Sequence, residues 1–384
     1  MNYLFACGGT AGHINPALAV ADRLLKLDPQ GKVLFVGTPD RMESELVPRA
    51  GYDFKGIEVS SFSRKMNLEG LKFNAKSLKH VLSATGKAKK IVKEFRPDIA
   101  IGTGGYVCYP VLKAAAALNV PTLVHESNAV PGLTTKMLIA DVDRILVGFE
   151  ASRAYYGDPR KVYVTGTPVR GEFSALTKAE AKAKLGIPVS EPLVVSVWGS
   201  LGARVMNERM AELIALAGEH PGFRLIHSAG KNGYDKFVEN LKKQGVEDPA
   251  KRGADVRPYI YDMPTVMAAA DLVLCRAGAS TLAELTYLGK PAVLVPSPNV
   301  TNNHQERNAR VLEQAGGAKV IVESDCTADG LLGTIRDLLH DSVTLTKMEQ
   351  NMRACGVPDA TERIADMALE MIRAYQKYPE IPRK

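Results

Sequence analysis

Apolar and polar positions along this chain alternate in blocks rather than residue by residue. Tyr3–Ala6, Lys32–Val36, Asp98–Ile101, Thr122–Val124 and Arg144–Val147 are short apolar runs. Their length predicts strands buried on both faces, as in a parallel sheet. Between them the spacing turns helical. Pro16–Leu27 places Ala17, Leu18, Val20, Ala21, Leu24 and Leu25 along one side, and a second helix is expected around Val111–Leu118. The alternation restarts after Gly186-Ile187-Pro188. Strands are expected at Leu193–Val197, Arg224–His227, Asp255–Tyr259, Leu272–Cys275 and Ala292–Val295. Helices should begin at Arg204, at Asp262-Met263, beside Ser280-Thr281 and at Asn303, and the last periodic stretch is Ala360–Lys377. Strand–loop–helix repeated in two series predicts an α/β chain of two Rossmann-type halves. A chain of 384 residues is also too long for one ordinary core.

Polar residues gather where strands end and helices begin. In the first half these places are Gly8–His13, Gly102–Tyr106 and His125–Asn128; in the second they are Gly199–Ala203, Arg276–Thr281 and Pro296–Asn308. Ligands of doubly wound sheets bind beyond the carboxyl ends of the strands, and free helix-start amides there favour phosphate. Three such clusters in register predict a shared cleft in the first half. The first loop has glycines at 8, 9 and 12, so it is neither a Walker A loop nor G-x-G-x-x-G. Glu284 stands one helical turn after Ser280, so its carboxylate lies on the same face near the loop mouth. It is suited to accept from sugar hydroxyls, while the loop meets a diphosphate.

Composition changes the picture in one region. With 46% hydrophobic and 24% charged residues the chain reads as globular. No apolar run approaches the roughly 20 residues that span a bilayer. Five scattered cysteines lack metal-ligand spacing and fit a reducing cytoplasm. Met1–Cys7 has neither the basic nor the apolar region of a leader, and reads as a first strand. The net charge of +7 calls for an anionic partner. Much of it falls between Arg64 and Lys93, with nine Lys or Arg against Glu69 alone. Aromatic stacking groups are nearly missing there, which disfavours nucleic acid. Lys72, Lys76 and Lys79 share a helical side with Leu71, Leu78 and Leu82 beside them, a pattern for an anionic membrane surface. Asp141-Val142-Asp143 has Asp-x-Asp spacing but precedes a strand, at its amino end. It reads as a turn, and no metal site is expected.

The string Gly278-Ala279-Ser280-Thr281-Leu282-Ala283-Glu284, followed by His304-Gln305-x-x-Asn308, resembles the donor-nucleotide motif of the GT-B glycosyltransferases. Within that group the chain resembles the peptidoglycan N-acetylglucosaminyltransferases, nearly end to end. The loop 8–13 resembles the family's first glycine motif, with Ala11 in place of a glycine; Trp198 likewise stands where a glycine is usual, and His304 where a glutamine is. The resemblance implies a GT-B fold: two Rossmann-like domains facing across a cleft, with the C-terminal helix crossing back to the first. The expected domains are 1–165 for acceptor and membrane, 166–355 for the UDP-sugar, and 356–384 for the returning helix.

The implied reaction is inverting transfer of N-acetylglucosamine from UDP-N-acetylglucosamine to the C4 hydroxyl of the muramyl sugar of undecaprenyl-linked lipid I. The product, lipid II, feeds cell-wall synthesis and so cell shape and division. Implied donor contacts are Thr10, Ala11, Gly12, Asn128, Arg170, Ser200, Ile260, Ala279, Ser280, Thr281, Leu282, Ala283, Glu284 and Gln305. Ile260 would offer backbone groups to uracil, Glu284 would take the ribose, and Gln305 would select the sugar. Gly104, Gly105, Tyr106, His125 and Glu126 would line the acceptor side, and His13 is the candidate base. No cofactor or metal is expected. Anionic inner-leaflet phospholipids are the expected surface partner at the cytoplasmic membrane face, with other cell-wall enzymes as further candidates and no nucleic acid. Rival readings are a diacylglycerol sugar transferase, a UDP-sugar 2-epimerase, and a non-catalytic nucleotide-sensing or membrane-docking module.

Overall fold

Parallel pairing of the predicted strands builds two separate sheets in the computed structural model, which describes residues 1–59, 83–174, 176–199 and 202–377. Ser200 and the six basic-patch residues, Leu71, Lys72, Lys76, Leu78, Lys79 and Leu82, lie outside the described residues. The chain divides into two compact units, Met1–Arg170 with Pro358–Lys384, and Gly171–Val357.

In the first unit, β1 (Asn2–Cys7), β2 (Lys32–Gly37), β3 (Asp53–Gly56), β4 (Ile99–Gly104), β5 (Thr122–Glu126), β6 (Arg144–Val147) and β7 (Val162–Val164) run parallel in the order β3-β2-β1-β4-β5-β6-β7. The order reverses between β1 and β4, which is where loops from neighbouring strands diverge to opposite faces and leave a crevice. α1 (Ala11–Leu27) begins five residues ahead of the expected Pro16. Pro16 sits inside it, so the helix lacks the ladder bond that a residue-16 amide would give to Gly12. α2 spans Glu43–Arg49 and a further helix, α3, covers 83–95. α3 buries Ala84, Ala88 and Val92 in the core, while Lys87, Lys89, Lys90 and Lys93 stay at its surface. α4 (Cys108–Ala117) and α5 (Leu133–Leu138) follow β4 and β5.

The helix at Ala360–Lys377 belongs to this same unit. Its Ile364, Ala365, Ala368, Leu369, Met371 and Ile372 join the core of α1 with Leu18, Val20 and Leu24. Arg23–Glu362 and Arg144–Glu370 ion pairs rim the contact. Asp143 accepts from the amide and hydroxyl of Thr122 at 2.8 Å each, and Asp141 pairs with Lys113 at 2.8 Å. Both carboxylates of the Asp-x-Asp stretch are thus used to fasten strand starts and helices.

The second unit has six parallel strands among its described residues: β8 (Leu193–Val197), β9 (Arg224–Ser228), β10 (Ala254–Arg257), β11 (Leu272–Cys275), β12 (Ala292–Leu294) and β13 (Ala318–Val320). Their order is β10-β9-β8-β11-β12-β13, so the reversal falls between β8 and β11. α6 (Lys178–Lys184) leads into β8, and α7 (Arg204–Ala217), α8 (Tyr234–Lys243), α9 (Met263–Ala269), α10 (Ala279–Leu288) and α11 (His304–Gln314) supply the crossovers. In both units the glycine loops singled out in the sequence follow the two strands that flank the reversal.

Candidate functional site

In the first unit the loops after β1 and β4 interlock through backbone atoms. The Gly8 amide donates to the Gly104 carbonyl at 3.1 Å. A Cβ on Gly105, whose φ is +92°, would lie 2.4 Å from the Gly8 carbonyl oxygen, so only glycine fits there. His13 enters on this frame. Its Nδ1 lies 2.8 Å from the Gly8 carbonyl, its own carbonyl accepts from the Thr103 hydroxyl at 2.7 Å, and its ring covers Gly104. A carbonyl can only accept, so Nδ1 carries a proton, and in the neutral ring the lone pair is on Nε2. The ring is therefore held in the tautomer a general base requires. At the start of α1 no side chain caps the first amides, and the Thr10 backbone is extended. Such amides are a ready anion site.

Glu43 of α2 was not foreseen. It is wholly buried, accepting from the Gly9 amide and the Thr38 amide at 2.9 Å each, and it occupies the space beside Gly8 that a Cβ would need. Nothing in the polar stretch Arg41–Glu45 distinguishes this carboxylate from a solvated one. The only hint is the pair of glycines, Gly8 and Gly37, that make room for it.

Two of the expected acceptor-side residues lie below the surface. β5 extends through Glu126, so His125 and Glu126 are strand residues, and both are buried. His125 Nε2 is 2.9 Å from the Gly166 carbonyl, and burial holds its pKa below the usual imidazole range. Glu126 accepts from the backbone and side-chain amides of Asn128, the Gly132 amide and the Thr135 hydroxyl. These residues shape the loop that carries Asn128 from behind. Tyr106, by contrast, is exposed at the mouth of the β4 loop. Arg170 acts electrostatically on Tyr52, which hydrogen-bonds Asp22 in the distal half of α1.

In the second unit the loop after β8 runs between Gly199 (φ +99°) and Gly202 (φ +75°). Gly202 presses on the Ala229 carbonyl, where a Cβ would stand at 2.3 Å. α10 opens after β11 with Gly278 as its N-cap and no capping side chain. Ser280 Oγ is buried without a hydrogen-bond partner. Glu284, half-buried one turn on, has its carboxyl pushed up to about 7 by desolvation. Orphaned polar groups of this kind are expensive unless a ligand completes them. Leu282 has its side chain wholly in the core, and its amide bonds the Gly278 carbonyl.

Gln305, at the start of α11, accepts from the Ser297 amide at 2.9 Å through Oε1. Its Nε2 is thereby oriented as the free donor. Asn308 ties α11 to the Ala277 carbonyl at 3.3 Å. Ile260 lies buried between β10 and α9, flanked by the edge-to-face pair Tyr259 and Tyr261. Arg276 was also not foreseen. It donates to the Val295 and Pro296 carbonyls, pairs with Glu323, and lies over the Trp198 ring.

Comparison with known proteins gives concordant results. Residues 3–147 match the model of the glycosyltransferase family 28 N-terminal domain, and 193–364 that of its C-terminal domain. A relative from Acetivibrio thermocellus is 43% identical over 373 residues, covering 97% of this chain and 99% of its own. One from Caldanaerobacter subterraneus subsp. tengcongensis is 45% identical, covering 95% and 98%. Both are named UDP-N-acetylglucosamine–N-acetylmuramyl-(pentapeptide) pyrophosphoryl-undecaprenol N-acetylglucosamine transferase. Among solved structures, Acinetobacter baumannii MurG superposes with a TM-score of 0.75 at 29% identity, over 96% of this chain and 99% of that one. The Neisseria meningitidis UDP-GlcNAc 2-epimerase shares the fold at a TM-score of 0.63 and 15% identity, covering 96% and 100%.

Proposed function

This chain belongs to glycosyltransferase family 28, and on that premise we propose that it transfers N-acetylglucosamine from UDP-N-acetylglucosamine to the muramyl sugar of undecaprenyl-linked lipid I. The observation that carries the reading is the set of uncompleted polar groups at α10: uncapped amides, an orphaned Ser280 hydroxyl and the desolvated Glu284 carboxylate, all beside the reversal of the second sheet. A nucleotide sugar satisfies each in kind. Ribose hydroxyls donate to Glu284, the diphosphate takes the α10 amides and the loop 199–203, and Gln305 Nε2 donates to a sugar hydroxyl. Ile260 meets the uracil through its backbone.

The first unit supplies the base. His13 Nε2 takes the proton of the acceptor C4 hydroxyl as that oxygen attacks the anomeric carbon from the face opposite UDP, inverting the centre. Tyr106 and the glycine loop 102–105 offer the acceptor its surface. Helix-start amides stabilise the negative charge on departing UDP, with no resident metal in the scheme; Asp141 and Asp143 are already committed to Lys113 and Thr122. The enzyme works as a peripheral protein on the cytoplasmic face of the membrane, held by anionic lipid through the basic stretch between Lys72 and Lys93. Among the described residues no helix is long and apolar enough to cross a membrane.

The deciding assay presents purified protein and UDP-N-acetylglucosamine with lipid I, with diacylglycerol and with water, each with and without a chelator. Transfer to lipid I alone, unaffected by the chelator, is the expected result. A glycosylated diacylglycerol, or an epimerised UDP-sugar in water, would replace this reading by the corresponding rival.

A further inference from the structure

Trp198 is the only tryptophan in the chain and occupies the position next to the loop 199–203. Its ring is 2% exposed and shares a core with Met206, Val295 and Cys326. Its indole N–H is buried and has no acceptor. A buried donor left unpaired is a net cost, so the residue is not held there by its hydrogen-bonding capacity. What the ring does contact is Arg276, whose guanidinium lies 5.9 Å from the ring centroid.

Arg276 is a junction. It follows β11, donates to the carbonyls of Val295 (3.0 Å) and Pro296 (3.2 Å) beyond β12, and pairs with Glu323 beyond β13. Through Trp198 it also reaches the end of β8. One guanidinium thus ties together the ends of strands whose following loops carry Ser200, Ser280 with Glu284, and the Ser297–Gln305 contact. Arg276 and Glu323 side chains are 13% and 15% exposed. An aromatic face over the guanidinium excludes water from that pair and strengthens it. Gly199, next after Trp198, has a φ of +99°, and Gly202 lies against the Ala229 carbonyl.

We propose that Trp198 is a positioning residue for the donor site: by stacking on Arg276 it fixes the end of β8, where the loop to α7 starts, relative to the α10 helix start. The proposal rests on the reading of that loop as the diphosphate site. It assigns the work to the ring face, so Phe should replace Trp and a small residue should not. Trp198→Phe keeps the KM for UDP-N-acetylglucosamine within about twofold, because an aromatic face remains over Arg276. Trp198→Ala raises that KM about three- to thirty-fold, the range of one desolvated cation–π contact, and kcat falls less. Since the chain has one indole, wild-type emission reports the same contact directly. It should change on UDP-N-acetylglucosamine addition with the half-saturation that calorimetry gives. An unchanged KM in Trp198→Ala overturns the proposal. So does a Trp198→Phe enzyme as impaired as Trp198→Ala, or wild-type emission that stays flat while calorimetry shows binding. Absence of calorimetric binding to wild type would instead remove the underlying donor-site reading, and the proposal with it.

Discussion

Glu284 is asked to be an anion where the protein has withdrawn water from it. Desolvation brings its carboxyl up to about 7 from an ordinary 4.5, so near neutrality a large part of the population is protonated before the donor arrives. In stability terms the folded state holds a proton that the unfolded state releases at lower pH. The resulting stabilisation is present at acid pH and is lost as pH rises from about 4.5 through about 7. Ribose hydroxyls prefer the carboxylate, so donor affinity runs the other way. UDP-N-acetylglucosamine should bind more tightly at pH 8 than at pH 6, with proton release measurable by calorimetry in buffers of different ionisation enthalpy. The diphosphate diester of that donor does not itself titrate in this range, and Glu284→Gln should flatten the profile. His13 makes a separate prediction. Its fixed tautomer leaves Nε2 free, so His13→Ala should lower kcat by about 10²-fold or more while calorimetric UDP binding stays near wild type. At this scale the sequence was only partly legible. His13 and Glu284 stood out by position, but burial decides a polar residue's role, and burial is not local. Glu43 drew no notice in the sequence and is a buried brace; His125 and Glu126 were expected on the acceptor side and are buried in β5.

At the scale of elements the pattern was far more readable. Arg144–Val147, Leu193–Val197 and Leu272–Cys275 are strands with the expected ends. Parallel strands buried on both faces advertise themselves as unbroken apolar runs between glycines. Strand order was not readable, because pairing such as β1 with β4 joins residues about a hundred positions apart and depends on what packs between. The start of α1 was misplaced because proline suggests a first turn, yet here it lies a turn further in. The loops also carry constraints that only the assembled backbone reveals. Gly104 has a φ of +123°, and a Cβ there would come within 2.3 Å of His13 Cδ2. Gly104→Ala should therefore displace the His13 ring from the Gly8 carbonyl and lower kcat by roughly tenfold or more, as misplacing a catalytic group does. UDP affinity should be unchanged, and the protein should keep its melting cooperativity. A Gly104→Ala enzyme with normal kcat would show that the ring position is not critical.

For the whole molecule, the net charge of +7 and the run of surface lysines on α3 motivate a membrane test. Each lysine near an anionic bilayer is worth on the order of 1 kcal/mol, so binding should be reversible and weaken with salt. Co-sedimentation with anionic vesicles should fall sharply when Lys72, Lys76 and Lys79 are changed to Glu, with UDP binding preserved. Equal sedimentation of the triple variant at low salt would send the search for the membrane contact elsewhere. The helix at Ala360–Lys377 raises a different matter. It completes the core of the first unit, yet it is translated after all of the second. On the ribosome the first unit must therefore wait, its α1 face open, while residues 171–357 emerge and close upon themselves as a continuous segment. A stop codon after Val357 would strike the domain farthest from it in sequence. Such a chain should keep one cooperative unit, 171–357, and present the other as a dye-binding, protease-sensitive shell.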